Sequence, residues 1–177
     1  MQGRIRSMAL LHETLYRSAD FARVDLAEYL RQLATQLHRA QNTRPGAVRL
    51  QLDLAPVSLE AEQAIPCGLI VNELLTNSLK HAFPDGLTGE IRIALHPSAD
   101  GRVRLEVGDS GIGLPADLDE RRQRSLGLQL VFDLVRQLQG TLEMGGPGPG
   151  TRFIITLTPV KPSAPPGNGS PPVDLKT

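Results

Sequence analysis

The sequence contains a single cysteine, Cys67, among its 177 residues. One cysteine excludes an internal disulfide, and it excludes a metal site built from several thiolates. Disulfide frameworks are typical of secreted domains, so this composition favours a reducing, cytoplasmic setting.

Aromatic side chains and excess charge are also scarce. Aromatic residues make up 3% of the chain, and 19 Lys and Arg residues balance 19 Asp and Glu residues. Nucleic-acid-binding domains usually carry a basic surface and stack bases on aromatic rings, so we expect no nucleic-acid partner. No apolar run approaches the roughly 20 residues that span a bilayer. The N-terminal stretch lacks a cleavage signal after its short apolar patch, so we expect neither a signal peptide nor membrane contact by this segment.

Hydrophobic periodicity predicts helices that alternate with pairs of strands. The order is helix, helix, strand, helix, two strands, loop, helix, two strands. The predicted helices cover residues 4–17, 26–41, about 65–82 and 125–138, and the predicted strands cover 48–54, 90–95, 102–107, 141–143 and 152–157.

Local signals indicate where several of these elements begin and end. Asp25 is a candidate N-cap, and Glu28 three residues later completes a variant of the capping box. Residues 58–62 are interpreted as the approach to the main helix, with Pro66 tolerated in its first turn because the missing N–H does little harm there. The turn at 100–101 predicts that the strands on either side of it pair antiparallel.

This order predicts an α+β fold, a two-layer α/β sandwich with helices packed on one face of a mixed, mainly antiparallel sheet. A doubly wound parallel fold would need a crossover helix after nearly every strand, and the pattern lacks them. We interpret residues 21–160 as the main domain, and we expect the short helix before it to dock on this domain or to pair with another chain, since isolated helices of this length are marginal in water. Residues 161–177 are too rich in Pro, Gly and Ser to pack, so we expect them to be disordered.

The stretch 72–83, NELLTNSLKHAF, has an unusual polar face. On a regular α-helix Glu73, Asn77 and Lys80 fall in one narrow sector, opposite an apolar side that includes Val71 and Leu74. An ordinary surface helix mixes its charges for solubility. A carboxylate, an amide and an ammonium aligned in this way suit one wall of a polar ligand site.

Three further motifs follow in the chain. DSGIGLP at 109–115 presents a carboxylate and two glycines directly after a strand, although an ordinary loop has the same composition. SLGL at 125–128 opens a helix whose exposed N–H groups favour an anion, although on its own this tetrapeptide is better explained by Ser125 as a simple cap and Gly127 as an aid to packing. GPGPGTRF at 146–153 is, on its own, a hairpin.

Together, in this order, the motifs resemble those of the ATP-binding catalytic domain of two-component sensor histidine kinases, in the superfamily with gyrase and heat-shock chaperone ATPases. NELLTNSLKHAF resembles the N box, DSGIGLP and SLGLQLV the two glycine boxes, and GTRF the closing element. Residues 4–40 resemble the tail of the dimerisation and phosphoacceptor region of the subgroup related to blue-light and heat-responsive kinases, which implies that residues 1–20 are a remnant of that helical region. The resemblance covers roughly residues 4–158.

The resemblance implies ATP and Mg²⁺ as cofactors and assigns roles by position. Asn77 would offer its amide oxygen to Mg²⁺, and Glu73 would orient or deprotonate the attacking group. Lys80 and His81 would face the phosphates. The start of the last helix would meet the phosphates through Ser125, Leu126, Gly127 and Leu128.

The adenine side of the implied site lies on the sheet. Asp109 would accept a hydrogen bond from the adenine amino group, with Gly111 and Gly113 allowing the base to approach and Thr151 assisting. Residues 116–124 would form a mobile lid with Arg121, Arg122 and Arg124, of which we expect at least two to be solvated.

The resemblance also implies a phosphoacceptor histidine. In the resembling subgroup it lies upstream of this stretch, and His12 falls at the edge of an apolar stripe that suits a packed residue. We therefore expect the acceptor to lie on a dimerisation helix outside this chain, so that the isolated chain does not phosphorylate itself. The implied partners are ATP or ADP, that dimerisation region or a second kinase chain, and a response-regulator receiver domain.

Two other classes of function share parts of the pattern. An anti-sigma-type serine kinase has the same ATP fold, and the amino acid phosphorylated would distinguish it. A non-catalytic, nucleotide-gated interaction module would bind nucleotide without turnover, although intact Glu73, Asn77 and Asp109 argue against such a degenerate site.

Overall fold

The computed structural model describes residues 23–41, 46–113, 126–145 and 149–160. The predicted helix 4–17, the lid 116–124, Ser125 and the tail 161–177 lie outside these ranges. The elements are β1 (Arg23–Asp25), α1 (Leu26–Gln41), β2 (Val48–Leu54), β3 (Ser58–Glu60), α2 (Ala61–Asn77), a π-helical turn (Ser78–Ala82), a 3-10 turn (Pro84–Gly86), β4 (Gly89–Pro97), β5 (Val103–Asp109), α3 (Leu126–Gln137), β6 (Thr141–Met144) and β7 (Thr151–Leu157).

Five strands form one mixed sheet in the order β2-β4-β5-β7-β6. β2 pairs parallel with β4, and the other three pairs are antiparallel, including the two predicted hairpins β4–β5 and β6–β7. Helices pack against this sheet, so the predicted α+β class and the mainly antiparallel sheet are confirmed. In the described ranges, no helix is long and apolar enough to cross a membrane.

The core lies between the helices and one face of the sheet. Along β4, Ile91, Ile93 and Leu95 are fully buried, whereas Arg92 between them is exposed. β5 shows a similar alternation, with Val103, Leu105 and Val107 buried, because successive side chains of a strand point to opposite faces. One face of the sheet is therefore covered by helices, and the other carries mostly charged side chains.

The first described helix follows its prediction. The Glu28 N–H donates to Asp25 Oδ1 at 3.0 Å, which is the predicted N-cap bond. Leu26, Leu30 and Leu33 are buried as predicted.

The prediction for residues 58–62 is wrong in part. Residues 58–60 form β3, which pairs antiparallel with β1 in a separate two-stranded sheet. Arg23 reinforces the pair, since its Nη2 donates to the Ser58 carbonyl at 2.9 Å. Three-residue strands are too short to show a period of two, so only the pairing itself defines them.

The predicted bounds of the main helix are also wrong. α2 begins at Ala61, so that Pro66 lies inside the helix and not in its first turn. A proline there removes the hydrogen bond to the Glu62 carbonyl, a local cost that burial of the helix outweighs. α2 ends at Asn77, and residues 78–82 continue as a π-helical turn.

Candidate functional site

The polar side of α2 lies against the first turn of α3. Glu73 is only 8% exposed, and its Oε1 accepts a hydrogen bond from the buried Asn72 amide at 3.2 Å. Asn77 is half-buried one turn later. A Cβ built on Gly127 would lie 2.7 Å from Glu73 Oε2 and 3.9 Å from Asn77 Nδ2. The structure therefore brings Glu73, Asn77 and Gly127 together, and glycine keeps the space beside the carboxylate open.

Lys80 and His81 occupy a different position from the one a regular helix predicts. Both are exposed and lie in the π-helical turn, whose i→i+5 bonding gives more residues per turn than the 3.6 of an α-helix. Lys80 is therefore rotated around the helix axis, relative to Glu73 and Asn77, from the position that a regular α-helix would give it.

Asp109 ends β5 at the sheet edge nearest this π-helical turn. Its Oδ2 accepts a hydrogen bond from the Ser78 hydroxyl at 2.8 Å, and its Oδ1 accepts one from the Gly111 N–H at 3.0 Å. Thr151 lies directly opposite Asp109 in the β5–β7 register. Opposed residues of antiparallel strands have Cβ atoms roughly 4.5–5.5 Å apart on one face, so these two side chains are neighbours.

The glycines after Asp109 allow close backbone contacts. The Ile112 N–H donates to the Ala82 carbonyl at 3.0 Å, and a Cβ on Gly111 would lie 2.6 Å from Ala82 Cβ. Gly113 has φ +82° and lies beside Gly150. No other residue type fits at Gly111, since the obstructing atoms belong to the backbone and Cβ of Ala82.

The first residues of α3 complete the described part of the site. Leu126 is 75% exposed, while Gly127 and Leu128 are half-buried. Their N–H groups belong to the helix N-terminus, where the helix dipole favours an anion. The remaining predicted contributors, Ser125 and the lid arginines, lie outside the described residues.

Sequence reasoning assigned no role to Asn72 or Ser78, both of which contact site carboxylates. Ser78 had a detectable signal in the sequence, whereas the burial of Asn72 is seen only in the structure. Ser78 falls seven residues after Val71, on the apolar stripe of the helix, and a buried hydroxyl on such a stripe needs a partner. Asn72 is a buried amide directly beside Glu73.

A polar cleft of about 360 Å³ opens beside this site, at the same end of the sheet. It shares Asp109 and Thr151 with the site, but most of its lining lies on the face without helices. There Arg152 binds Glu106 through Nε at 2.8 Å and Nη2 at 2.9 Å. Burial alone would raise the pKa of Glu106, but the Arg152 hydrogen bonds and charge outweigh it and lower that pKa. Because Arg152 and Glu106 neutralise each other, this face offers neither charge to a ligand, and we place the functional site on the face of the sheet that is covered by helices.

Comparisons with known proteins agree with this geometry. The family of histidine kinase-, DNA gyrase B- and HSP90-like ATPases matches residues 62–161, and a histidine kinase family matches residues 1–41. The chain is 29% identical to blue-light-activated histidine kinase 2 of Erythrobacter litoralis over 89% of this chain and 46% of that protein. It is 32% identical to the sensor histidine kinase PdtaS of Mycobacterium tuberculosis over 80% of this chain and 28% of that protein.

A solved structure of a histidine kinase domain is also similar to this chain. The histidine kinase domain of the Erythrobacter litoralis EL346 blue-light activated histidine kinase superposes with a TM-score of 0.80 at 29% identity, covering 88% of this chain and 73% of that one. The chain spans less than half the length of the curated relatives named above. The first family match extends over more than half of the chain, and it includes α2 from Glu62 onward, the Asp109 strand, α3 and β7. The chain belongs to the histidine kinase-, DNA gyrase B- and HSP90-like ATPase family, as a histidine kinase ATPase domain.

Proposed function

We propose that this domain binds Mg-ATP between α2, α3 and the end of the sheet, and that it transfers the γ-phosphoryl group to a histidine of a dimerisation region. The observation that carries the proposal is the Ser78–Asp109 contact, which joins the polar wall of α2 to the carboxylate at the sheet end. Glu73 lies five residues before Ser78, about 7.5 Å along a helix axis. Glu73 and Asp109 therefore mark two different ends of one site, as a ligand with a base at one end and phosphates at the other requires.

Asp109 is suited to the base. A carboxylate only accepts hydrogen bonds, and its two oxygens offer about four lone pairs. Ser78 and Gly111 each use one, which leaves acceptor capacity for an exocyclic amine. Thr151, opposite Asp109 in the sheet, supplies a hydroxyl that donates or accepts beside it.

The donor set on α2 fits Mg²⁺. This cation prefers oxygen ligands, keeps several waters and is usually held by one or two protein groups together with phosphates. Asn77 would hold it through the amide oxygen, with Glu73 acting directly or through a water. Among the described residues no cluster of three or more His, Cys, Asp or Glu forms a cation cage. When bound, the ion would neutralise phosphate charge.

The remaining steps use the protein's own groups. The acceptor imidazole nitrogen forms a bond to the γ-phosphorus, the bond from that phosphorus to the bridging oxygen breaks, and ADP leaves. Glu73, buried beside the Gly127 gap, accepts the imidazole proton or orients the ring. The N–H groups of Leu126, Gly127 and Leu128 face the phosphates, since a helix N-terminus favours anions.

The partners follow from this chemistry. We propose that the acceptor histidine belongs to a dimerisation helix and is not His12, and that a receiver domain of a response regulator then takes the phosphoryl group. An exposed Lys80 and His81 at the edge of the site would meet phosphate oxygens.

Thermal shift with Mg-ADP tests the site directly. A ligand at one hundred times its Kd stabilises the native state by about 2.7 kcal/mol, so we expect Tm to rise by roughly 5–10 °C in the wild-type chain. Asn77→Ala and Asp109→Ala should each abolish this shift, because they remove the cation ligand and the base acceptor.

Asp53→Ala is the matched control. Asp53 is an exposed carboxylate on the face without helices, where it pairs with Arg92 at 2.6 Å. The control should keep the full shift. A shift that survives both Asn77→Ala and Asp109→Ala would show that the nucleotide binds elsewhere.

A further inference from the structure

Ser78 is a polar residue in an apolar position. It opens the π-helical turn, is 8% exposed, and follows Leu74 and Leu75, which are fully or almost fully buried. Its own N–H bonds to the Leu74 and Leu75 carbonyls, so its backbone is satisfied within the helix. The side chain is the part that needs an explanation.

The hydroxyl is directed away from the helix backbone. A helical serine commonly donates to the carbonyl four residues earlier, which here belongs to Leu74. Instead Ser78 Oγ donates to Asp109 Oδ2 at 2.8 Å, across 31 residues of sequence. A contact to a charged acceptor is stronger than one between neutral groups, so it restrains both side chains.

Two donors from different parts of the chain therefore hold the Asp109 carboxylate. The Gly111 N–H, from the loop that follows, holds Oδ1, and the Ser78 hydroxyl, from the helix, holds Oδ2. With both oxygens held, the plane of the carboxylate is defined before any ligand arrives. Such preorganisation reduces the ordering cost of binding.

We propose that Ser78 is a positioning residue that aims the Asp109 carboxylate at the exocyclic amino group of the bound base, and thereby sets the selectivity for adenine over purines that lack this group. The inference rests on the proposed function, because it names what determines base selectivity at that same site. Ser78 acts through Asp109 and needs no contact with the nucleotide.

Isothermal titration of the full 177-residue chain with two probes tests this. The probes are Mg-ADP and the Mg complex of purine riboside 5′-diphosphate, which has hydrogen in place of the amino group. Ser78→Ala should weaken ADP binding about fivefold to tenfold and leave the analogue unchanged, so that the preference for ADP falls by the same factor. In an Asp109→Asn background, Ser78→Ala should change neither affinity.

Thr76→Ala is the matched control. It removes a hydroxyl from the same helix two residues earlier, where Thr76 Oγ1 accepts from Gln41 Nε2 at 3.3 Å. It should keep the wild-type preference for ADP, and Ser78→Thr, which retains the hydroxyl, should keep it as well. Ser78→Cys has a similar volume and a weaker donor, so it provides the same readout if Ser78→Ala does not fold.

The outcomes separate the two proposals. A wild-type chain that binds neither probe contradicts the proposed function, and this inference falls with it. A wild-type chain that prefers ADP, with the same preference in Ser78→Ala and Ser78→Cys, contradicts the role of Ser78 alone. Equal weakening of both probes would assign Ser78 a purely structural role and would also overturn the inference.

Discussion

The two halves of α2 have opposite surroundings although they belong to one helix. The first half packs on α1, where Gly68 meets the ring of Tyr29, a side chain that is 1% exposed, and the neighbouring Cys67 is fully buried. The second half presents Glu73 and Asn77 to the first turn of α3. One half is a sealed core, and the other is a wall of the candidate site.

A glycine marks the closest approach in each half, for different reasons. A Cβ on Gly68 would enter the ring of Tyr29, so this glycine lets two helices pack closely. A Cβ on Gly127 would approach the Glu73 carboxylate, so this glycine keeps polar space open. Glycine at a helix–helix contact therefore serves close packing in one half of α2 and leaves room beside a carboxylate in the other.

The largest expected effect concerns the sealed half. Gly68→Ala should destabilise the fold by about 3 kcal/mol, because the new methyl overlaps a ring that is buried and cannot move aside. Chemical denaturation measures the change in the free energy of unfolding. Gly127→Ala makes the same substitution at the other contact and is the control. If Gly68→Ala were as stable as the wild type, the Tyr29 ring would be able to move aside. The contact at Gly68 would then be no more rigid than the contact at Gly127.

The second effect concerns the site half. Gly127→Ala should lower the affinity for Mg-ADP at least about tenfold, because its Cβ would lie 2.7 Å from Glu73 Oε2. Its stability should be unchanged or higher, since alanine exceeds glycine in helix propensity by about 1 kcal/mol. Titration calorimetry and thermal unfolding of the same sample separate the two quantities.

Asp133→Ala, at an exposed position of the same helix, should leave the affinity for Mg-ADP unchanged. If Gly127→Ala bound Mg-ADP normally, the first turn of α3 would not border the ligand, and the contrast between the two glycines would disappear.

The smallest expected effect is a pH dependence of the unfolding free energy that arises from Cys67 in the sealed half of α2. Burial raises the pKa of the Cys67 thiol from 9.0 to about 12. The native state therefore holds this proton where the unfolded chain releases it, so the contribution of Cys67 is fully present below pH 9 and is lost as pH rises toward 12. Between pH 8 and pH 10 the wild type should lose about 1 kcal/mol more of its unfolding free energy than Cys67→Ala does.

Denaturation at both pH values measures this difference. The cavity left by Cys67→Ala shifts its stability by an amount that does not depend on pH, and burial also raises the pKa of Tyr29, which both proteins contain. Parallel pH profiles of the two proteins would mean that Cys67 is hydrated, and the first half of α2 would not be sealed.

Much of the fold could be predicted because it depends on regular periods. Strict alternation in 48–54 and a capped apolar stripe in 26–41 each bury one face, and the structure confirms both elements. β1 and β3 could not be predicted in this way, since three residues show no period and each strand exists only through the other. The start of α2 was misplaced because Pro66 usually marks a first turn, a preference that tertiary packing overrides.

In the candidate site, too, some residues could be predicted from the sequence and others depend on contacts between distant elements. Motif order selected Glu73, Asn77, Asp109 and Gly127. The structure places Glu73, Asn77 and Gly127 together, and Ser78 in the π-helical turn after α2 binds Asp109. Their roles in binding and catalysis stay predictions. The sequence pattern did not assign Ser78 a role, because its partner lies 31 residues away and a helical wheel describes only one element.

By itself the sequence determined which residues face inward in each helix and strand, and therefore the α+β class, since hydrophobic burial depends on local periodicity. Only the tertiary structure decided where elements distant in the chain meet. The π-helical turn after Asn77, the Ser78–Asp109 hydrogen bond and the gap at Gly127 all arise where α2 packs simultaneously on α3 and β5. Such contacts depend on the relative placement of whole elements, which no local pattern specifies.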